Sequence, residues 1–227
     1  NNSDDPTNND TKTTRTVTIK VRDVSLDGLA KSWSSILSRT INVTAVLDLP
    51  KLTDNRTNKD SIALKFTEND SSIFIGDSLT ITDTDDTNID SAIIRISKNY
   101  DYIITSPSTG DSINLGDSLF FDAGLPTSIK AFYTYGSKTG DSITLSGVNT
   151  LDSYVLALSK LRFKNNSDDP TNNTTKLSRT IQFLVRDNNS DNLGNKWSVI
   201  LTRKLNIVGV VDLPKITDNR TIKDSTA

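Results

Sequence analysis

RTVTIKVRD (residues 15–23) and RTIQFLVRD (residues 179–187) are two versions of one strand. In the first, Val17, Ile19 and Val21 alternate with Thr16, Thr18, Lys20 and Arg22. That period of two gathers apolar side chains on one face of a half-buried strand. In the second, Ile181, Phe183 and Val185 restore the pattern. The likeness spreads outward from there. A shift of 164 positions, from Asn1 to Asn165, aligns 1–63 with 165–227 without a gap, and about 60% of the pairs (38 of 63) are identical. NNSDDPTNN opens both copies, Trp33 matches Trp197, and LDLPKLTDNRTNKDS (47–61) matches VDLPKITDNRTIKDS (211–225). Self-similarity at a fixed period marks a tandem array. It predicts that residues 1–50 are the C-terminal part of one repeat, 51–214 one complete repeat of period 164, and 215–227 the start of the next. Taken alone, 1–50 is a half-unit with unpaired strands, and such edges need a partner.

Composition agrees with an all-β chain. Hydrophobic residues make up 34% and aromatic residues only 6%, and the short polar residues Asp, Asn, Ser and Thr recur where glutamate occurs once, at Glu68. Those side chains favour turns, caps and exposed strand faces over helix interiors. The net charge of −2 lacks the basic excess that a nucleic-acid partner requires. No apolar run approaches the ~18 residues of a membrane span, and any targeting segment is expected to lie outside this stretch. Cysteine, histidine and methionine are absent, which removes disulfides, thiol chemistry and any His-dependent triad.

The last point disposes of one motif. GDSL at Gly76 and Gly116 is also the signature of a class of serine esterases, which need a His base. With GDSI at Gly110 and Gly140, the four copies stand before four strand candidates and are expected to be turns. The chain is therefore expected not to be an enzyme.

Strands are predicted at 62–66, 78–82, 91–97, 101–105, 118–121, 128–135 and 142–147, with a long final strand within 197–211. One segment breaks the period. In TLDSYVLALSKLRF (150–163), Leu151, Tyr154, Val155 and Leu158 fall at helical spacing, so a short helical turn is expected across one end of the core, before Leu161 and Phe163 resume alternation.

TENDSSIFIGDSLTITDTDDTNIDSAIIRIS (67–97), the stretch from Phe132 to Asn172 and RTIQFLVRD (179–187) together resemble the cadherin-like repeats of giant microbial surface adhesins. VLDLP (46–50) and VVDLP (210–214) stand where that family has its Val, Asn-Asp, Ala-Pro linker, with Leu47 and Val211 in place of the linker Asn. The resemblance implies a cadherin-like or Ig-like Greek-key β-sandwich strung end to end with its neighbours, at the cell surface or in an extracellular filament. Its partners would be neighbouring repeats of the same chain, a homopolymeric assembly or a cell-surface ligand. It also implies calcium at the repeat junctions, held by the linker acid Asp48, by Glu68 and by the Asp83/Asp85 pair joined by Asp86. Asp212 is the equivalent linker acid of the next junction. Hard cations take several carboxylate or carbonyl oxygens at about 2.3–2.6 Å, while Asp at strand ends more commonly just closes turns. SDDP at 3–6 and 167–170 is expected to be such a turn, because Pro fixes φ and extends the residue before it. Among the many Asn-x-Ser/Thr sequons, Asn55 and Asn219 occupy the same linker position and are the candidate glycosylation sites.

Overall fold

The computed structural model describes residues 6–8, 11–24, 28–57, 64–105, 113–114, 116–122, 124–134, 142–189, 194–214 and 216. In chain order its strands are β1 (Thr14–Ile19), β2 (Leu37–Asn42), β3 (Lys51–Asp54), β4 (Leu64–Thr67), β5 (Ile73–Phe74), β6 (Leu79–Thr82), β7 (Asn88–Lys98), β8 (Ile104–Thr105), β9 (Ile113–Asn114), β10 (Asp117–Phe121), β11 (Lys130–Thr134) and β12 (Ser142–Thr150). Helix α1 (Leu151–Ser159) follows, and then β13 (Leu161–Asn165), β14 (Ser178–Asp187) and β15 (Leu201–Val208). The fold is all-β with one short helix.

Six strands form the main sheet in the order β11-β12-β7-β14-β15-β4. Every pairing in it is antiparallel except the last, where β4 runs parallel to β15 with Thr67 opposite Val208. The sheet β10-β13-β5 and the pair β3-β6 pack over it. Strand β14 shows why: Arg179, Ile181, Phe183, Val185 and Asp187 are buried and the intervening residues are not. The partner strands send Ile94 and Ile96 of β7, Leu145 of β12 and Leu205 of β15 into the same core. Phe163 of β13 meets Phe66 of β4 edge to face at 5.2 Å between ring centroids.

Helix α1 forms where its spacing predicts. Thr150 caps it by accepting from the Ser153 N–H at 3.2 Å. Tyr154, Ala157 and Leu158 face the core against β6, β7 and β12, and the Tyr154 hydroxyl donates to the Gly147 carbonyl at 2.8 Å. The glycines of two GDS motifs have a sharper reason than turn-making. A Cβ on Gly76 would lie 1.9 Å from the Leu158 carbonyl oxygen, and one on Gly116 would lie 2.0 Å from that of Asp101. These are close backbone crossings that only glycine permits. Gly110 and Gly140 lie outside the described residues.

Two ion pairs are built into the core. Arg179, fully buried, donates to the equally buried Asp117 at 2.5 Å and to the Lys176 and Pro170 carbonyls. Arg203 donates to Asp54 at 2.9 Å and to the carbonyls of Ile75 and Asp77. Arg56 donates to the same Asp54. Burial pushes the Asp54 carboxyl up, but the bonds from Arg56 and the Arg203 charge outweigh it and hold it at about 2. Asp54 also locates β3. The residues after Pro50 read as linker in the sequence, yet Lys51–Asp54 pair with β6 and bury Leu52.

The first copy of the repeat folds locally and goes no further. β1 and β2 pair in the register of β14 and β15: Arg15 faces Ile41 as Arg179 faces Leu205. The details recur as well. Arg15 donates to the Pro6 and Lys12 carbonyls, the Ser34 N–H to the Val21 carbonyl, and Arg22 bridges to Trp33 as Arg186 does to Trp197. Among the described residues, however, this hairpin belongs to no larger sheet, and Ile19 is 47% exposed where its counterpart Phe183 is 1% exposed.

Candidate metal centre

Between β6 and β7 the chain turns through Asp83-Thr84-Asp85-Asp86, and the turn is organised by its own first carboxylate. One Asp83 oxygen, Oδ1, accepts from the N–H groups of Asp85 and Asp86, each at 3.3 Å. This curls the segment back so that one carboxylate oxygen from each of Asp83, Asp85 and Asp86 lies within 4.8 Å of the others. Asp86 is buried and the other two are half-buried.

The linker is tied to the same turn. The Asp48 N–H donates to Asp85 Oδ2 at 2.8 Å, and the Thr84 hydroxyl donates to Asp48 Oδ2 at 2.7 Å. Each side of the junction thus supplies one donor and one acceptor to the other. Asp48 itself is exposed, and Pro50, two residues on, is buried.

Two oxygens are left over. Among the described residues, Asp83 Oδ2 and Asp85 Oδ1 are buried with no hydrogen-bond donor to either. Like charges this close resist joint ionisation. Burial, and then the neighbouring Asp85 carboxyl, push Asp83 up to about 7. The site therefore wants a positive charge: either a shared proton or a cation. An all-oxygen set of clustered carboxylates suits a hard divalent ion such as calcium, for which Asp83, Asp85 and Asp86 would supply oxygens and water or carbonyls the remainder.

The other acids expected at this junction lie elsewhere. Glu68 is buried against the outgoing chain, its N–H donating to the Val208 carbonyl at 2.8 Å and its Oε2 accepting from the Val210 N–H at 2.7 Å. The parallel register of β4 on β15 dictates this, since the residue after Thr67 must land beside the residues after Val208. A cavity there is lined by Glu68, Asp169, Thr171 and Gly209. Glu68 thus joins the segment that leads to Asp212, which is exposed, and not the Asp48 turn. The SDDP turn at 167–170 forms as expected, with Asp169 accepting from the Thr171 hydroxyl and the Asn173 N–H, while Ser3, Asp4 and Asp5 of the other copy lie outside the described residues. Asn55 is exposed and its amide donates to the Thr80 hydroxyl, while Asn219 lies outside the described residues.

The buried pairs Arg179–Asp117 and Arg203–Asp54 are not among the residues expected above. A signal was present: Arg179 shares the parity of Ile181, Phe183 and Val185, and Arg203 that of Leu205 and Ile207. A charged residue in phase with the core face needs a partner there. Comparison with known families finds no matching family model, and comparison with curated proteins finds no match.

Proposed function

We propose that the chain is a mechanical element: a cadherin-like Greek-key sandwich repeated in tandem within an extracellular stalk or adhesin, stiffened by a divalent cation at each junction. The carrying observation is the β6–β7 turn, where linker residue Asp48 is bonded to a carboxylate cluster with two buried oxygens that accept nothing. A cation bridging Asp83, Asp85 and Asp86 would order the turn and, through Asp85 and Thr84, fix the angle at which the linker enters. Stability in such arrays is approximately the sum of unit and neighbour terms, so stiffening every junction alike makes length without a scaffold. Sugars on Asn55, which follows β3, and on its counterpart Asn219 would decorate each repeat just past its linker.

A second reading is a filament subunit held by strand exchange between chains. The exposed apolar face of β1–β2 favours it.

Small-angle scattering on a chain holding two full units, in calcium and then in chelator, tests the first reading. A rod in calcium that becomes flexible in chelator supports it. A rod in both conditions removes the cation, and aggregation in both favours strand exchange.

A further inference from the structure

The β1–β2 hairpin carries a code for what covers it. One face of it carries Arg15, Val17, Ile19 and Val21 on β1 and the residues just beyond, and Leu37, Arg39 and Ile41 on β2. In the second copy the corresponding residues are Arg179, Ile181, Phe183 and Val185 with Leu201, Arg203 and Leu205, and they face the core. An apolar cover alone does not match this face. Arg15 already has carbonyl acceptors in Pro6 and Lys12, but burying it and Arg39 without a counter-charge would cost several kcal/mol per charge. A cover must present a carboxylate to each guanidinium, as Asp117 does for Arg179 and Asp54 for Arg203. It must also offer an antiparallel strand to the free edge of β1, as β7 does for β14, and a parallel one to β2, as β4 does for β15. A second hairpin laid face to face supplies none of these; it would set Arg against Arg.

We infer that β1–β2 is the receiving half of a unit whose other half is a second copy of the segment 51–164, feeding into the hairpin through residues 1–13. The connector argues for this source. Residues 1–9 repeat 165–173 letter for letter, and in the described part the same bond is formed: the Lys12 N–H donates to the Thr7 carbonyl at 2.8 Å, as the Lys176 N–H does to the Thr171 carbonyl at 2.7 Å. In the second copy that connector leads out of β13. The inference rests on the tandem reading above, but it concerns the interior of a unit and not the junction between units.

The test compares the 227-residue chain with the same chain carrying a second copy of residues 51–164 ahead of Asn1. Amide exchange is followed over 14–42, with 178–208 as the internal reference. In the extended chain, protection over 14–42 rises by at least ~1000-fold, toward that of the reference, as a locally opening segment joins a globally opening one. Trp33 emission, read in a Trp197→Phe background, shifts to the blue. Asp117→Ala in the added copy removes most of the gain. Arg15→Ala does the same in the extended chain and leaves the exchange of 178–208 unchanged in the 227-residue chain.

Unchanged protection and emission over 14–42, while 178–208 stays protected, overturns the inference. So does a dimer of the 227-residue chain that protects 14–42 with no added segment. An extended chain that is flexible in scattering yet protected over 14–42 sinks the stiff junction and keeps this interface.

Discussion

Hairpins β1–β2 and β14–β15 share their register, their loop bridge between Arg and Trp and their Arg-to-carbonyl bonds, yet one is exposed and the other forms the centre of a core. The difference separates two levels of the code. Strand alternation and the Arg–Trp bridge in the connecting loop recur with the same hairpin geometry in both copies. Burial is conferred by strands β3 to β13, which lie between the two hairpins and surround only the second. An isolated two-stranded hairpin is marginal at best in water, and among the described residues the first copy has the geometry of the second without its burial.

The comparison breaks most readily at its apolar centre. Phe183→Ala should cost about 3–5 kcal/mol in urea unfolding followed by circular dichroism. Ile19→Ala, at the matching position, should stay within about 0.5 kcal/mol. Equal losses at the two sites would mean that β1–β2 is already buried in solution. The ion pairs sharpen the same contrast. Arg179→Ala strands Asp117 and should cost roughly 3–4 kcal/mol, whereas Arg15→Ala should leave the main transition where it was.

A smaller effect is expected at the cation site. The folded-state pKa of Asp83 lies near 7, above its ordinary value of 3.8. Its contribution is therefore complete below pH ~4 and is lost as pH rises through 7. In chelator, Asp83→Asn should raise stability at pH 8 by about 1–2 kcal/mol, solvent screening having reduced the effect. In calcium the same substitution should lower it, and the wild-type calcium affinity should weaken as pH falls below 7. Calorimetry at pH 6 and pH 8 reads all three; a substitution with the same sign in calcium and in chelator would remove the cation. Asp54 does not confuse the window, because a carboxyl held at about 2 loses its contribution only in acid, between pH ~4 and 2. The smallest change belongs to Glu68→Gln, which weakens one charged acceptor for the Val210 N–H. It should cost about 1 kcal/mol and appear as faster amide exchange at 208–211.

Much of this was legible in one dimension. Alternation located β14, helical spacing located α1, and the Asp-x-Asp-Asp turn announced a carboxylate cluster. What escaped was set by pairing between distant segments. Lys51–Asp54 looks like linker because its four residues gain their meaning from β6, and Glu68 was grouped with Asp48 because nothing local reveals that β4 runs parallel to β15. Arg179 and Arg203 were legible in phase but not in partner, since Asp117 and Asp54 lie 62 and 149 positions away.

The parallel pairing of β4 with β15 has a consequence under load. A chain pulled at both ends draws β4 back from Leu64 and β15 forward from Val208, toward opposite ends of the same ladder. The bonds between Leu64–Thr67 and Leu205–Val208 are then strained together in shear instead of being opened one by one. A ladder loaded in this geometry yields as a unit and not bond by bond, once β3, which lies ahead of β4 in the chain, has parted from β6.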